Sequence, residues 1–182
     1  MSSLFILGGA RSGKSRYAVT AQPARARVAF LATAQAGDGD MAARIARHRA
    51  ERPAAWTTVE EPFDVTARLD DLRRVDAVIV DCVTVWAANL MLRGDTDESI
   101  FAATDALAKF VGRAAFDVTL VSNEVGEGVH PETSAGLRFR DLLGFVNQRL
   151  AAVSDRVVLM VAGLPLEVKA STPRHVTPDQ AP

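Results

Sequence analysis

Residues Gly8 to Ser15 read GGARSGKS, a full match to the pattern GxxxxGK[ST], set between the apolar run Leu4 to Leu7 and a segment of helical period that opens at Lys14. No other feature constrains the fold of this chain as strongly. In a strand–loop–helix unit of this kind the glycines let backbone N–H groups turn inward around phosphate oxygens, and the helix N-terminus adds its partial positive charge. Lys14 can then reach the β- and γ-phosphates, and the Ser15 hydroxyl can ligate magnesium. The pattern therefore predicts a nucleoside-triphosphate site made by Gly8, Gly9, Ala10, Arg11, Ser12, Gly13, Lys14 and Ser15.

The rest of the chain repeats the alternation that such a unit requires. Short β-branched, apolar runs recur at Leu4 to Leu7, Val28 to Thr33, Ala77 to Cys82, Val118 to Asn123 and Val157 to Gly163. They are continuous rather than alternating, as parallel strands covered on both faces are. Between them, helical period runs over Lys14 to Ala21, Asp40 to Glu51, Phe63 to Leu72, Thr96 to Arg113 and Leu137 to Ala152, and Trp56 to Glu60 reads as a further short strand before Pro62. The expected architecture is an α/β, RecA-like P-loop domain over residues 1–169, with a mostly parallel sheet and helices on both faces. The remainder, 170–182, is rich in proline and poor in apolar side chains, which predicts disorder.

Composition excludes several classes. With 48% hydrophobic and 24% charged residues among 182, the chain can bury one core. Its net charge of −1 gives no basic field for nucleic acid. Nowhere do eighteen apolar residues run together, so no membrane span is expected, and a single cysteine, Cys82, allows no disulfide within one chain and fits the cytoplasm.

Two further places carry chemistry. Asp81 ends a buried strand, where a carboxylate can hold magnesium beside the P-loop or, alternatively, cap the next helix together with Thr84. Arg44, Arg47, His48, Arg49 and Arg52 crowd one segment, with Arg44, His48 and Arg52 on one helical face. Such a face is either solvated or set beside an anion. In the second case neighbouring positive charge keeps the imidazole neutral and nucleophilic, able to attack phosphorus and form a phosphoramidate. Asn123 and Glu124, in VSNEVGEG, can touch a substrate or bond within their own loop; His130 lies in a GVHPE turn and His175 in the tail.

Taken together, GGARSGKS, LATA, MAARIARHRAERPAAWTTVEEP, DCVTVWAANLM, VSNEVGEGVHPE and RFRDLLGFVNQRLAAVSDRVVLMVAGLPLEVK resemble the bifunctional adenosylcobinamide kinase/adenosylcobinamide-phosphate guanylyltransferases of cobalamin biosynthesis. The resemblance implies two reactions: a triphosphate phosphorylates adenosylcobinamide, and GTP then donates GMP to adenosylcobinamide phosphate through a GMP-histidine intermediate on His48. It implies that Ala32, Thr33, Ala34, Arg49, Ala50, Glu51, Arg52, Glu60 and Asp81 surround the nucleotide, with Glu60 reading guanine, Lys14 stabilising phosphate charge, and Ser15 and Asp81 holding Mg2+. The resemblance further implies that GTP is the guanylyl donor, ATP or GTP the phosphoryl donor, and the enzyme a homo-oligomer, a trimer with the acceptor between subunits. From the residues alone two readings stay open beside this one, a P-loop kinase of another small metabolite and a non-catalytic GTP-binding regulatory module, although the chain has no NKxD guanine loop.

Overall fold

A computed structural model of the chain describes residues 1–24, 26–35 and 52–170. It contains a seven-stranded sheet in the order β3-β2-β4-β5-β1-β6-β7. The strands are β1 (Ser3–Gly8), β2 (Val28–Ala32), β3 (Thr57–Glu60), β4 (Ala77–Asp81), β5 (Asp117–Val121), β6 (Arg156–Val161) and β7 (Leu164–Lys169). All neighbours are parallel except β6 and β7. The helices are α1 (Lys14–Thr20), α2 (Val65–Asp70), α3 (Val83–Arg93), α4 (Asp97–Arg113) and α5 (Ser134–Val153).

Chain direction decides which face each helix covers. The steps from β1 to β2 and from β2 to β3 move one way along the sheet, and every later crossover moves back. Right-handed crossovers then send α1 to one face and α2 to α5 to the other. The core obeys this. Phe5, Leu31, Val80 and Leu120 pack with Leu69, Trp86, Ile100, Leu107, Phe110 and Val146 on the four-helix face, whereas Ile6, Phe30, Ala32, Ile79, Val121 and Val158 meet Ala18 of α1 on the other. Among the described residues only α1 covers that second face.

The expected helices α1, α2, α4 and α5 are present within a few residues of their expected ends, and α4 and α5 begin at Thr96 and Thr133, whose hydroxyls accept the Ser99 and Gly136 N–H groups. The expected helix at Asp40 to Glu51 lies outside the described residues, as do residues 171–182 of the tail. Two elements lie outside the segments that hydrophobic period predicts. One is α3, which follows β4 with Cys82 as a cap that makes no side-chain bond. Thr84 does not cap; it is buried inside α3 and bonds Ser122 and the Asn123 N–H. The other is β7, a fully exposed edge strand that returns antiparallel to β6 through the turn Ala162–Gly163, where both residues are left-handed, at φ 50 and 84°.

Candidate active site

The phosphate loop leaves β1 at Gly8 and enters α1 at Lys14. Gly8 has φ 151°, and a Cβ there would stand 2.6 Å from the Met160 carbonyl oxygen and 2.7 Å from Ser12 Oγ. Gly13, at φ 97°, caps α1 from the left-handed region, which a glycine adopts without the steric penalty of a side chain. Arg11 is left-handed too, at φ 56°. The loop is thus a curl of backbone that presents N–H groups, and Lys14 lies across it, buried, its Nζ donating to the Gly9 carbonyl at 2.7 Å and near Ser12 Oγ at 3.5 Å. An ammonium held over a glycine-rich curl at a helix N-terminus is an arrangement that can receive polyphosphate.

Strand register brings the other predicted residues level with this loop. Ala32 on β2 is paired with Glu60 on β3 and with Asp81 on β4; Asp81 is paired with Val121 on β5, and Val121 with Ile6 on β1. Glu60, Ala32 and Asp81 therefore form one row at the C-terminal sheet edge, facing the side that α1 covers, where open α/β sheets receive ligands. A cavity of about 370 Å³ opens there, lined by Ser15, Arg16, Val19, Thr20, Phe30, Arg52 and Asp81. The two residues expected to hold magnesium share it. Arg52 stacks its guanidinium over Phe30, 3.3 Å from the ring centroid, so that a cation stands on the cavity's apolar floor. Glu60 is exposed at the end of β3.

Thr33 and Ala34 follow β2 at the same edge, but Thr33 turns inward: fully buried, its hydroxyl donates to the Cys82 carbonyl at 2.8 Å and accepts the Cys82 N–H at 2.9 Å. It fixes the chain just beyond Asp81. Cys82 itself is half-buried, and burial, with the Asp81 charge second, pushes its thiol up to about 11, so the thiol stays protonated near neutral pH. Asn89 of α3 donates to the carbonyls of Thr33 (2.8 Å) and Pro62 (3.1 Å), tying together the chain ends that leave β2 and β3. His48, Arg49, Ala50 and Glu51 lie outside the described residues.

On the other flank, the loop after β5 is locked against the P-loop, the Glu124 N–H donating to the Gly8 carbonyl at 3.0 Å. Beneath it runs a buried polar chain that the sequence reading missed. Ser122 Oγ donates to Asn147 Oδ1 at 2.7 Å and lies 3.2 Å from Thr84 Oγ1, while Asn147 Nδ2 donates to the Asn123 carbonyl at 3.1 Å. Its signal was Asn147, a polar residue among the buried Leu143, Val146 and Leu150 of α5. Glu124 uses one carboxylate oxygen on the Gly126 N–H, the loop-internal bond, and His130 Nδ1 pairs with Arg140. Asn147→Ala should destabilise the protein by about 1–3 kcal/mol, because Ser122 and the Asn123 carbonyl lose partners inside the core, and urea unfolding measures this.

Comparison with known proteins puts this geometry in context. Residues 4–168 match the family model described as cobinamide kinase / cobinamide phosphate guanyltransferase. The chain belongs to that family. It is 44% identical over 167 residues to the bifunctional adenosylcobalamin biosynthesis protein CobP of Pseudomonas aeruginosa, covering 90% of this chain and 95% of that one. It is 38% identical over 183 residues to the bifunctional adenosylcobalamin biosynthesis protein CobU of Escherichia coli, covering 91% and 99%. Among solved structures, a KaiC-like protein of Pyrococcus horikoshii superposes with a TM-score of 0.52 at 13% identity, over 87% of this chain and 70% of that one. A second protein of the same organism gives 0.54 at 11%, over 94% and 88%. At such identities these structures speak for the fold alone, an α/β P-loop domain.

Proposed function

We propose that the chain is the cytoplasmic enzyme that phosphorylates adenosylcobinamide and then guanylylates the product. The observation that carries the reading is the cavity uniting Ser15, Asp81 and Arg52 beside a P-loop, in a chain of this family. In the first reaction the hydroxyl oxygen of the aminopropanol arm of adenosylcobinamide attacks the γ-phosphorus of ATP or GTP, the bond to the β-phosphate oxygen breaks, and the hydroxyl proton is lost. Lys14 and the loop N–H groups stabilise the charge that builds on the β- and γ-oxygens. The Ser15 hydroxyl and the Asp81 carboxylate are hard oxygen donors lining one cavity, and they would hold Mg2+, a hard cation that such donors suit. When bound, the ion neutralises phosphate charge.

In the second reaction a His48 ring nitrogen attacks the α-phosphorus of GTP and pyrophosphate leaves. A phosphate oxygen of adenosylcobinamide phosphate then attacks the same phosphorus, giving adenosylcobinamide-GDP and freeing the imidazole. Arg52 stands four residues after His48, and four residues of chain reach at most ~14 Å, so His48 is tethered to a residue on the cavity wall. Arg49, Ala50 and Glu51 fall between the two. Glu60, level with Ala32 at the rim, can accept from the N1 and N2 donors of guanine. The enzyme acts as a homo-oligomer, a trimer with the acceptor between subunits; Leu164, Leu166 and Val168, exposed along β7, are apolar surface of the kind that subunits cover.

The deciding experiment incubates the protein with GTP labelled in the α-phosphate, then in the γ-phosphate, and treats denatured protein with acid and alkali. Label from the α-position alone, labile to acid and stable to base, is expected of a phosphoramidate. Absence of retained α-label would leave a P-loop kinase of another small metabolite.

A further inference from the structure

The P-loop does not stand alone on β1. Three observations tie it to the hairpin formed by β6 and β7, at the far end of the chain. The Gly163 N–H donates to the Ser12 carbonyl at 3.0 Å. A Cβ on Gly13 would come within 3.3 Å of Gly163 Cα and 3.7 Å of Met160 Cε. A Cβ on Gly8 would meet both the carbonyl oxygen and the Cβ of Met160, at 2.6 and 3.1 Å. Two of the loop's glycines are thus needed because the hairpin approaches so closely, in addition to the phosphates they are to receive.

We propose that the turn Ala162–Gly163 is a positioning element for phosphate binding, a back wall that holds Ser12 and Gly13 so that the N–H groups at the start of α1 keep their aim. Ser12 is where the curl of the loop closes onto the helix, and its carbonyl is engaged by the Gly163 N–H of the hairpin. Without that bond the peptide between Ser12 and Gly13 is free to rotate, and a glycine on its C-terminal side offers little resistance. A rotated peptide would turn a carbonyl toward the phosphates where an N–H should be. The turn is in its own right particular: Ala162 and Gly163 both have positive φ, the pattern of a two-residue hairpin whose twist matches its strands. Whatever the turn prefers is therefore felt at the P-loop. The inference rests on the P-loop as phosphate seat and on nothing about the acceptor or His48.

A graded series at Gly163 tests it. The space around a Gly163 Cβ is open, with nothing within 4 Å, so substitutions act through the backbone angle and not through a clash. Asparagine tolerates the left-handed region, alanine less well, and a β-branched valine worst. Dissociation constants for GTP and, by competition, for inorganic tripolyphosphate are measured on the whole protein, with thermal unfolding alongside. G163V is expected to weaken both ligands by the same factor, about tenfold, G163A by about threefold, and G163N by less than twofold. Equal loss for the two ligands is what a phosphate-seat role requires, since tripolyphosphate carries no base. Wild-type GTP affinity in a folded G163V, or loss of GTP but not of tripolyphosphate, overturns the proposal. If G163V does not fold, G163A against G163N decides in the same way. A wild-type protein that binds GTP but no tripolyphosphate would remove the P-loop as the seat, and the proposal with it, while leaving the α-label experiment to judge the guanylyl transfer.

Discussion

Lys14→Ala is expected to abolish both phosphoryl and guanylyl transfer while leaving the protein folded. The ammonium lies over its own loop, bonded to the Gly9 carbonyl, at the place where β- and γ-phosphate oxygens would replace that partner. Removing a single neutral donor from transition-state charge costs roughly 10²–10³-fold in rate, and a full positive charge in a part-buried site is worth more. The fold should survive, because the Gly9 carbonyl keeps the Ser12 N–H as a donor at 3.3 Å and belongs to an exposed residue that can also bond water. Kinase and guanylyltransferase assays, with circular dichroism and a thermal midpoint on the same preparation, separate the two effects. Near-normal phosphorylation by a folded K14A protein would remove the P-loop from the reaction.

How much of this site could be read from the sequence depends on whether its parts are local. The phosphate loop is eight consecutive residues between a strand and a helix, and the structure keeps it as written. Helix α3 had one signal in the sequence, the capping alternative at Asp81 and Thr84, and neither residue caps it. Cys82 stands at the cap without a side-chain bond, and past Asp81 the residues Val83, Val85 and Trp86 continue the β-branched and aromatic composition of a strand, so no change of period marks the entry. Strand β7 contains Pro165 and has no buried residue, both of which argue against a strand in the interior of a sheet; at an edge, where one row of N–H groups faces solvent, proline is tolerated.

Long-range relations were harder still. That Glu60, Ala32 and Asp81 share a row is a consequence of register between β3, β2 and β4, and no spacing in the sequence encodes it. The resemblance to a family supplied those residues without saying why they are neighbours, and register supplies the reason. Thr33 illustrates the difference. The family block LATA brings it to the nucleotide's surroundings, yet its hydroxyl is bonded on both sides to the Cys82 backbone, so that what it does for the site is to hold the turn that follows Asp81. The tie between Gly163 and Ser12 joins the two ends of the fold and had no sequence signal except the glycines themselves.

His48→Asn should eliminate the covalent GMP adduct and guanylyl transfer while leaving measurable kinase activity. The two reactions make different demands on one chain. Phosphoryl transfer requires a seated γ-phosphate, charge stabilisation and an acceptor hydroxyl in line, and in the function proposed above Lys14, Ser15 and Asp81 would supply the protein's part of that. Guanylyl transfer by way of the enzyme requires in addition a nucleophile that can hold the α-phosphorus and release it again. An imidazole nitrogen does both, and a carboxamide, though polar and able to hydrogen-bond, forms no adduct of comparable stability. The adduct and the second reaction should therefore fall to zero in His48→Asn and in His48→Ala alike. The first reaction should decline without vanishing. Arg52, four residues along, stacks on Phe30 in the cavity wall, and a shift of about 1 Å in what it positions can cost on the order of a hundredfold when geometry sets the rate. Two assays on one folded preparation check this: formation of adenosylcobinamide phosphate, and GMP retained on denatured protein. Retention of GMP by His48→Asn would assign the nucleophile to another residue. Equal loss of both activities would instead mean that the histidine organises the phosphate seat and is no nucleophile of its own.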